Sequence, residues 1–133
     1  MNTLREVAGY EGLYAVTRDG RVWSHPKAWR VNKGGLVSHC GKWMRATPNI
    51  VSGYLTVPLR KDGEVRRRYV HRLVAEMWVS NPEGKPEVNH RNGIRGDNRH
   101  VNLEWVTSKE QHDHIRSRRW PAYHEKAQQL STN

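Results

Sequence analysis

The segment from 87 to 119 constrains the fold of this chain more than any other part of its sequence. Residues 87–90 and 102–106 each have the length and apolar content of a short strand, and a turn and a polar loop separate them. A helix follows the second strand and runs toward Arg119. This order of strand, loop, strand and helix places His90, at the end of the first strand, opposite the first turns of the helix.

A capping pattern marks the start of that helix. Thr107 with Glu110, or Ser108 with Gln111, places a hydroxyl at the N-cap and a carboxylate or amide three residues later. Such a pair satisfies backbone N–H groups that the first helical turn leaves without partners. The helix is therefore expected to begin at 107 or 108.

Charge is the second constraint. The 133 residues carry 23 Lys and Arg against 13 Asp and Glu, which gives a formal charge of +10 at pH 7. Because binding to a polyanion releases condensed counterions, so large a charge indicates a nucleic-acid partner rather than a merely soluble basic surface. An anionic membrane is disfavoured, since no long apolar run and no basic amphipathic helix with a broad apolar face is visible.

Length and cysteine content indicate how many folded units the chain forms and in which compartment it is expected to fold. A chain of 133 residues is most simply one folded unit with a modest core and many loops. Cys40 is the single cysteine, so no internal disulfide can form and a reducing compartment is expected. The first six residues lack the apolar stretch of a signal peptide. We therefore expect a cytoplasmic protein.

Two β-hairpins are expected before residue 71. Residues 10–24 form the first, because apolar residues flank an Asp19-Gly20 turn and glycine accepts the positive φ of such turns. Residues 54–70 form the second, with its turn at Lys61-Asp62-Gly63. Pro58 has no N–H to donate, so its strand is expected at a sheet edge or a bulge.

A helix is expected from 71 to 79. Its apolar residues follow helical spacing and predict one buried face: Leu73, Val74, Met77 and Trp78. Asn81-Pro82 ends it. His71 at its start is interpreted as a structural histidine.

Basic residues and tryptophans alternate through 25–53, the least legible part of the chain. The pattern suits phosphate contacts and base stacking, and it also suits a surface loop whose tryptophans fill a small core. Gly34-Gly35 is either a hairpin turn or a flexible loop tip. The sequence leaves both alternatives open.

Several stretches together resemble the HNH endonucleases of the phage and intron homing type: Val70-His71-Arg72-Leu73-Val74-Ala75, Val88-Asn89-His90 and Asn102-Leu103-Glu104-Trp105-Val106-Thr107. Upstream, the stretches 9–16 and 20–24 resemble the DNA-binding module that often accompanies this nuclease. Motifs in the expected order are far more specific than a lone His-Asn-His match.

The resemblance implies an α+β fold in which small β-hairpins at the N-terminal side precede a ββα-metal (HNH) nuclease core. It places a β-rich DNA-binding module at 1–53 and the nuclease domain at 54–119. A tail or short helix is expected at 120–133.

The same resemblance implies hydrolysis of a phosphodiester in double-stranded DNA, by nicking or cleavage, with 5′-phosphate and 3′-hydroxyl products. His90 would be the general base, since an unperturbed imidazole titrates near pH ~6.5. Asn102 would hold the His90 loop and ring through amide hydrogen bonds. One divalent ion, Mg²⁺ with Mn²⁺ as a substitute, would stabilise charge on the leaving 3′ oxygen.

The expected metal ligands depart from the family pattern. The residue before the base is often Asp, but here it is Asn89, which offers a neutral carbonyl oxygen. The helix ligand, commonly His or Asn, falls on Gln111 by register, or on His112 one residue later. With two neutral ligands, the ion would bind weakly until a DNA phosphate completes its shell.

DNA contacts are predicted for the basic side chains near these motifs: Arg66, Arg67, Arg68, Arg72, Arg91, Arg116, Arg118 and Arg119. For the triple arginine the alternative is a solvated edge that deters aggregation. A monomer is expected. Two rival hypotheses are a DNA-binding protein whose nuclease site has decayed through Asn89 and Gln111, and a zinc-stabilised interaction module, which the single cysteine weakens.

Overall fold

The computed structural model describes residues 3–31 and 34–119. Its strands are β1 (Leu4–Glu6), β2 (Tyr14–Thr17), β3 (Val22–Ser24), β4 (Lys27–Arg30), β5 (Leu36–His39), β6 (Lys42–Trp43), β7 (Thr47–Pro48), β8 (Leu55–Lys61), β9 (Glu64–Tyr69), β10 (Glu87–His90) and β11 (Leu103–Val106). Its helices are α1 (Val70–Trp78) and α2 (Ser108–Arg119), and a single 3₁₀ turn spans His100–Asn102. The combination of short antiparallel strands with two helices agrees with the predicted α+β class.

The N-terminal part of the chain forms an antiparallel sheet in the order β1-β2-β3-β6. The predicted hairpin at 10–24 is confirmed, because β2 pairs with β3 and Gly20 takes a φ of 96° in the turn between them. β4 and β5 pair as a separate hairpin. Gly34-Gly35 therefore belongs to a hairpin turn, which was one of the two alternatives; the other was a flexible loop tip.

The second sheet has the order β7-β8-β9. β7 pairs with β8 only at Leu55 and Thr56, whereas β9 pairs along the whole of β8. β8 is therefore the middle strand of this sheet, but Pro58 lies beyond the two residues that pair with β7, so β8 has an open side among the described strands at the position where the edge was predicted. The missing N–H of Pro58 leaves no gap in a ladder.

α1 follows β9 directly and packs on both sheets. It begins at Val70 and ends at Trp78, one residue short of the prediction at its C-terminus. Leu73 and Val74 are fully buried, whereas Met77 and Trp78 are half-buried against the core. The indole Nε1 of Trp78 donates to the backbone oxygen of Val16 at 3.1 Å, which ties the helix to β2.

One hydrophobic cluster joins the two sheets, α1 and the β10–β11 pair. Its members include Val16 from β2, Leu59 from β8, Leu73 from α1 and Leu103 from β11. Burying each such side chain contributes about 1.5–3 kcal/mol. The cluster is continuous across residue 53, so the predicted boundary between a 1–53 module and a 54–119 domain does not coincide with a break in the core, and that division stays a prediction.

β10 and β11 pair antiparallel and α2 packs across both. The capping box at the start of α2 is confirmed: the backbone N–H of Glu110 donates to Thr107 Oγ1 at 3.1 Å, and the N–H of Thr107 donates to Glu110 Oε1 at 3.3 Å. The predicted order of strand, loop, strand and helix is therefore present. Within the described part of the chain, no helix has both the length and the apolar content that a membrane crossing requires.

Candidate active site at the end of the first ββα strand

His90 ends β10 with its ring among other aromatic rings. The side chain is buried, and the ring of Tyr54 lies nearly parallel to it, 5.6 Å between centroids at an interplanar angle of 12°. The ring of His71 lies 5.0 Å away. Nε2 of His90 is 2.7 Å from Oδ1 of Asn98. Stacking and one hydrogen bond thus fix the orientation of the imidazole.

The surroundings of His90 favour its neutral form. Burial lowers the pKa of His90, because the protonated ring loses hydration there. The hydrogen bond to Asn98 and the carboxylate of Asp97 act in the opposite direction, and the charge of Arg95 lowers the pKa further. A lowered pKa keeps the imidazole able to accept a proton at neutral pH.

His71 forms part of the wall of this site. Its ring is buried at the start of α1, and its Nδ1 has no hydrogen-bond partner in the described part of the chain. Burial lowers the pKa of His71 to about 3, with smaller contributions from His90 and Arg72. His71 is therefore a neutral ring packed against His90.

Asn102 organises the loop that follows His90. Its Nδ2 donates to Asn92 Oδ1 at 2.9 Å and to the backbone oxygen of Asp97 at 2.8 Å. Its Oδ1 accepts from the backbone N–H of Asn92 at 3.0 Å, and its backbone oxygen accepts from the N–H of Arg91 at 2.7 Å. These contacts reach the loop rather than the imidazole, and it is Asn98 that contacts the ring.

Asn89 lies next to His90 in β10 and is also buried. Its Nδ2 donates to Oε1 of Glu104, the residue opposite it on β11, at 2.8 Å. Oε2 of Glu104 lies 3.7 Å from the guanidinium of Arg91. Because Glu104 holds the amide nitrogen of Asn89, the carbonyl oxygen Oδ1 is the atom that Asn89 can offer to a cation.

The two candidate ligands on α2 differ in their surroundings. Oε1 of Gln111 is buried and has no hydrogen-bond partner in residues 3–31 and 34–119, whereas His112 is exposed. A buried amide oxygen without a donor is costly unless a partner completes it. This contrast favours Gln111 over His112 as the residue that meets an ion.

The donor set fits a hard cation such as Mg²⁺, which prefers oxygen ligands and keeps part of its water shell. Asn89 and Gln111 both supply amide oxygens. The described ranges contain no group of three or more His, Cys, Asp or Glu side chains placed to hold a metal ion. The zinc-stabilised alternative therefore finds no set of ligands in that part of the chain.

The predicted DNA-binding arginines fall into three groups. Arg66 and Arg67 are exposed on β9, where Arg66 lies 3.3 Å from Oε2 of Glu64 and Nε of Arg67 donates to Thr56 Oγ1 at 3.1 Å. Three others are less exposed or contact residues of other elements: Arg68 lies 3.4 Å from Glu76, Arg72 donates to the backbone oxygen of Pro86 at 2.9 Å, and Arg91 approaches Glu104. The side chains of the last group lie outside the described residues: Arg116, Arg118 and Arg119.

The sequence alone did not single out two residues of this site. Tyr54 stacks on His90 from the start of the second hairpin, 36 positions earlier in the printed sequence. Asn98 reaches His90 from the middle of a polar loop. Neither has a spacing rule that would reveal it, since loop conformation and sheet packing decide which side chains meet the ring.

Comparison with known proteins places the segment that contains His90 in a known family. Residues 68–113 match the family model of the HNH endonucleases. The chain carries an HNH domain. The matched span runs from the end of β9 into the first turns of α2, so it includes His90, Asn102 and Gln111 but not Tyr54.

The chain is also similar to individual proteins named as endonucleases. It is 49% identical over 65 residues to one uncharacterised HNH endonuclease of Acanthamoeba polyphaga mimivirus, and 31% identical over 121 residues to another. It is 32% identical over 105 residues to DNA endonuclease I-HmuI of Bacillus phage SP01. These alignments cover 47%, 90% and 79% of this chain but only 16%, 32% and 52% of the relatives.

A solved structure concerned with DNA binding and cleavage by the HNH homing endonuclease I-HmuI matches with a TM-score of 0.64 and 29% identity. The match covers 98% of this chain and 66% of that one. The likeness therefore extends beyond the HNH domain to the N-terminal sheets, and the predicted fold with hairpins before an HNH core is confirmed.

Proposed function

We propose that this chain is a DNA endonuclease that hydrolyses a phosphodiester of double-stranded DNA with His90 as general base and one divalent ion. The observation that carries the proposal is the ring of His90. This ring lies at the end of the first strand of an HNH domain, where it is buried and oriented by Asn98 and Tyr54. Burial also lowers its pKa. The similarity to I-HmuI, which is named as a DNA endonuclease, supports the same activity.

His90 takes a proton from the water that attacks the phosphorus. Burial keeps the ring neutral, and the contacts of Asn98 and Tyr54 prevent it from turning away. Positioned general bases contribute about 10²–10⁴-fold to such reactions. Asn102 keeps the loop after His90 closed, so that the base stays at the edge of the site.

Asn89 and Gln111 would hold the ion, and Glu104 keeps the amide of Asn89 turned so that its oxygen is the ligand. When bound, the ion supplies charge stabilisation at the leaving 3′ oxygen. Mg²⁺ is proposed because both ligands are oxygens, with Mn²⁺ as a substitute. A phosphate of the bound DNA would supply a further oxygen to the ion.

The basic surface would hold the duplex over the site. The formal charge of +10 and the exposed Arg66 and Arg67 support contacts with phosphates. Arg72, which is tied to the Pro86 backbone, and Arg91, beside Glu104, would need to exchange these contacts for phosphates. We propose that the protein acts as a monomer with one bound ion, and that it cuts one DNA strand at each binding event.

A second candidate function is DNA binding without cleavage. The neutral side chain of Asn89, where the family often has Asp, favours it. This alternative predicts salt-sensitive DNA binding with no cleavage in Mg²⁺ or Mn²⁺, and cleavage that appears in an Asn89→Asp variant.

A plasmid nicking assay separates the two functions. The wild-type chain should convert supercoiled DNA to the nicked form in Mg²⁺, EDTA should stop it, and His90→Ala should lower the rate by about 10²–10⁴-fold. His39→Gln, which changes a histidine on β5 away from the site, should nick like the wild type. A DNA ligase should reseal the nick, because the expected ends are 5′ phosphate and 3′ hydroxyl. Equal nicking by His90→Ala would sink the proposal.

A further inference from the structure

The loop between the two strands of the HNH domain contacts the proposed base through a buried amide. Asn98 is 4% exposed, although the loop around it is polar and largely open. Its Oδ1 lies 2.7 Å from Nε2 of His90. The cost of burying an amide suggests that this contact has a function beyond filling space.

The contact determines which nitrogen of His90 carries the proton. A side-chain amide oxygen can only accept a hydrogen bond, so the partner atom must donate. In a neutral imidazole one nitrogen is a donor and the other an acceptor. With Nε2 bound to Asn98, Nε2 carries the hydrogen and Nδ1 has the lone pair that can accept a proton.

Asp97 does not compete for this role. Its Oδ1 accepts from Nε of Arg99 at 2.8 Å, and its Oδ2 accepts from Arg99 and from Nδ2 of Asn92, both at 2.8 Å. The carboxylate is thereby turned toward the loop and away from a hydrogen bond with the ring. The neutral amide beside it makes that bond.

The N-terminal sheet supports Asn98 from behind. A Cβ atom at Gly20 would lie 2.9 Å from Cβ of Asn98 and 3.1 Å from its backbone oxygen. His100 lies two residues after Asn98, and Arg18 lies two residues before Gly20. The backbone N–H of His100 donates to the backbone oxygen of Arg18 at 2.7 Å. The turn between β2 and β3 therefore packs directly on the loop that contacts His90.

We propose that Asn98 is a positioning residue that holds His90 in the tautomer with Nδ1 free, and that the β2–β3 turn, through Gly20, keeps Asn98 in reach of the ring. The consequence for cleavage rests on the proposed function of His90. The tautomer and its dependence on Asn98 do not, so the two ideas can fail separately.

Nitrogen-15 NMR of the histidine rings tests the tautomer in the full chain. At about pH 8, above the ordinary pKa of imidazole, the His90 signals should show a protonated Nε2 and a bare Nδ1. They are assigned by their loss in His90→Gln. Asn98→Leu should give a mixture of tautomers, whereas Asn98→Asp, which keeps an acceptor in place, should retain the wild-type form. A bare Nε2 in the wild type, or an unchanged tautomer in Asn98→Leu, would overturn the proposal.

Nicking kinetics test the consequence. Asn98→Leu should lower kcat by on the order of 10- to 100-fold, because a misoriented base loses its geometry. Its KM for DNA should change by less than about twofold, since Asn98 is buried and removes no DNA contact. Asn98→Asp should recover most of kcat. If Asn98→Leu does not fold, the proposal is still tested by the tautomer of His90 in the wild type and by the tautomer and kcat of Asn98→Asp. An inactive wild type with the expected tautomer would contradict the proposed function alone.

A pair of glycine variants tests the role of the β2–β3 turn. Gly20→Ala should lower kcat and disturb the tautomer of His90, because its Cβ meets Asn98. Gly63→Ala is the matched control. Gly63 also lies in a hairpin turn at positive φ, 78° against 96° for Gly20, but a Cβ there meets nothing within 4 Å. Both variants carry the same kind of backbone strain. Equal kcat and equal ring signals in the two variants would contradict the role of Gly20.

Discussion

The two halves of the proposed site are built differently. The half that contains His90 is buried and has its partners within the protein, in Asn98, Tyr54 and His71. The metal half consists of two neutral amides, and Oε1 of Gln111 has no hydrogen-bond partner in the described part of the chain. The comparison teaches that contacts within the protein already orient the ring of the proposed base, whereas an ion and a DNA phosphate would be needed to complete the proposed ion site.

After loss of His90 itself, the largest effect on nicking is expected from a substitution of Asn102. It tests whether the half that contains His90 is oriented by the protein. Asn102→Ala removes three side-chain hydrogen bonds that hold the loop after His90. We expect nicking to fall on the order of 100-fold as the base loses its position. Each lost bond should also lower the free energy of unfolding by about 1 kcal/mol, measured by urea denaturation. A nicking rate that stays within a few-fold of wild type would mean that the loop keeps its conformation without the side-chain hydrogen bonds of Asn102.

The metal half can be probed by comparing neighbours on α2. Gln111→Ala should weaken the apparent affinity for Mg²⁺ in the nicking assay by on the order of tenfold, since it removes a ligand from a weak site. His112→Ala should leave that affinity unchanged, because the side chain is exposed. The measurement is nicking rate against Mg²⁺ concentration. The reverse order of effects would assign the ligand to His112.

His71 links the base half of the site to stability against acid. Its pKa is about 3 in the folded chain, below the ordinary value for histidine. Above about pH 6.5 both folded and unfolded states keep the ring neutral, and its contribution to stability is fully present. Between there and about 3, the unfolded state alone takes up a proton, so stability should fall by roughly 1.4 kcal/mol per pH unit.

Urea denaturation between neutral and mildly acidic pH measures this slope. His71→Leu should flatten it, because leucine has no proton to gain. His25→Leu is the control, since His25 is half-buried beside Glu6 and outside this cluster. An unchanged slope in His71→Leu would show that the acid sensitivity arises elsewhere.

The smallest effects are expected among the arginines. Arg66→Ala should reduce the salt dependence of DNA binding by about one phosphate contact, with little change in stability. Arg72→Ala should lower stability as well, because Arg72 donates to Pro86 and packs over the Trp105 ring. Fluorescence anisotropy across a salt series measures the first effect and thermal unfolding the second. Equal salt slopes for wild type and Arg66→Ala would remove Arg66 from the DNA surface.

Local pattern was sufficient to predict several elements both in the N-terminal sheets and in the HNH domain. The capping box at Thr107 and Glu110, the Asp19-Gly20 turn and the open side of β8 at Pro58 all follow from rules that act within a few residues. The boundary at residue 53 was inferred from likeness to a two-part protein. The core that runs across it depends on long-range packing, which no local rule reports.

The sequence by itself determined that His90 ends a strand opposite a helix, that an amide precedes it, and that the chain is strongly basic. It left the choice between Gln111 and His112 open, because adjacent helical positions differ only in the direction they face. The tertiary structure separates the two residues, because it buries Oε1 of Gln111 without a hydrogen-bond partner in the described part of the chain and leaves His112 exposed, so Gln111 is the ligand that we propose. It also brought Asn98 and Gly20 together behind His90, since contacts between distant segments depend on how sheets and loops pack rather than on spacing along the chain.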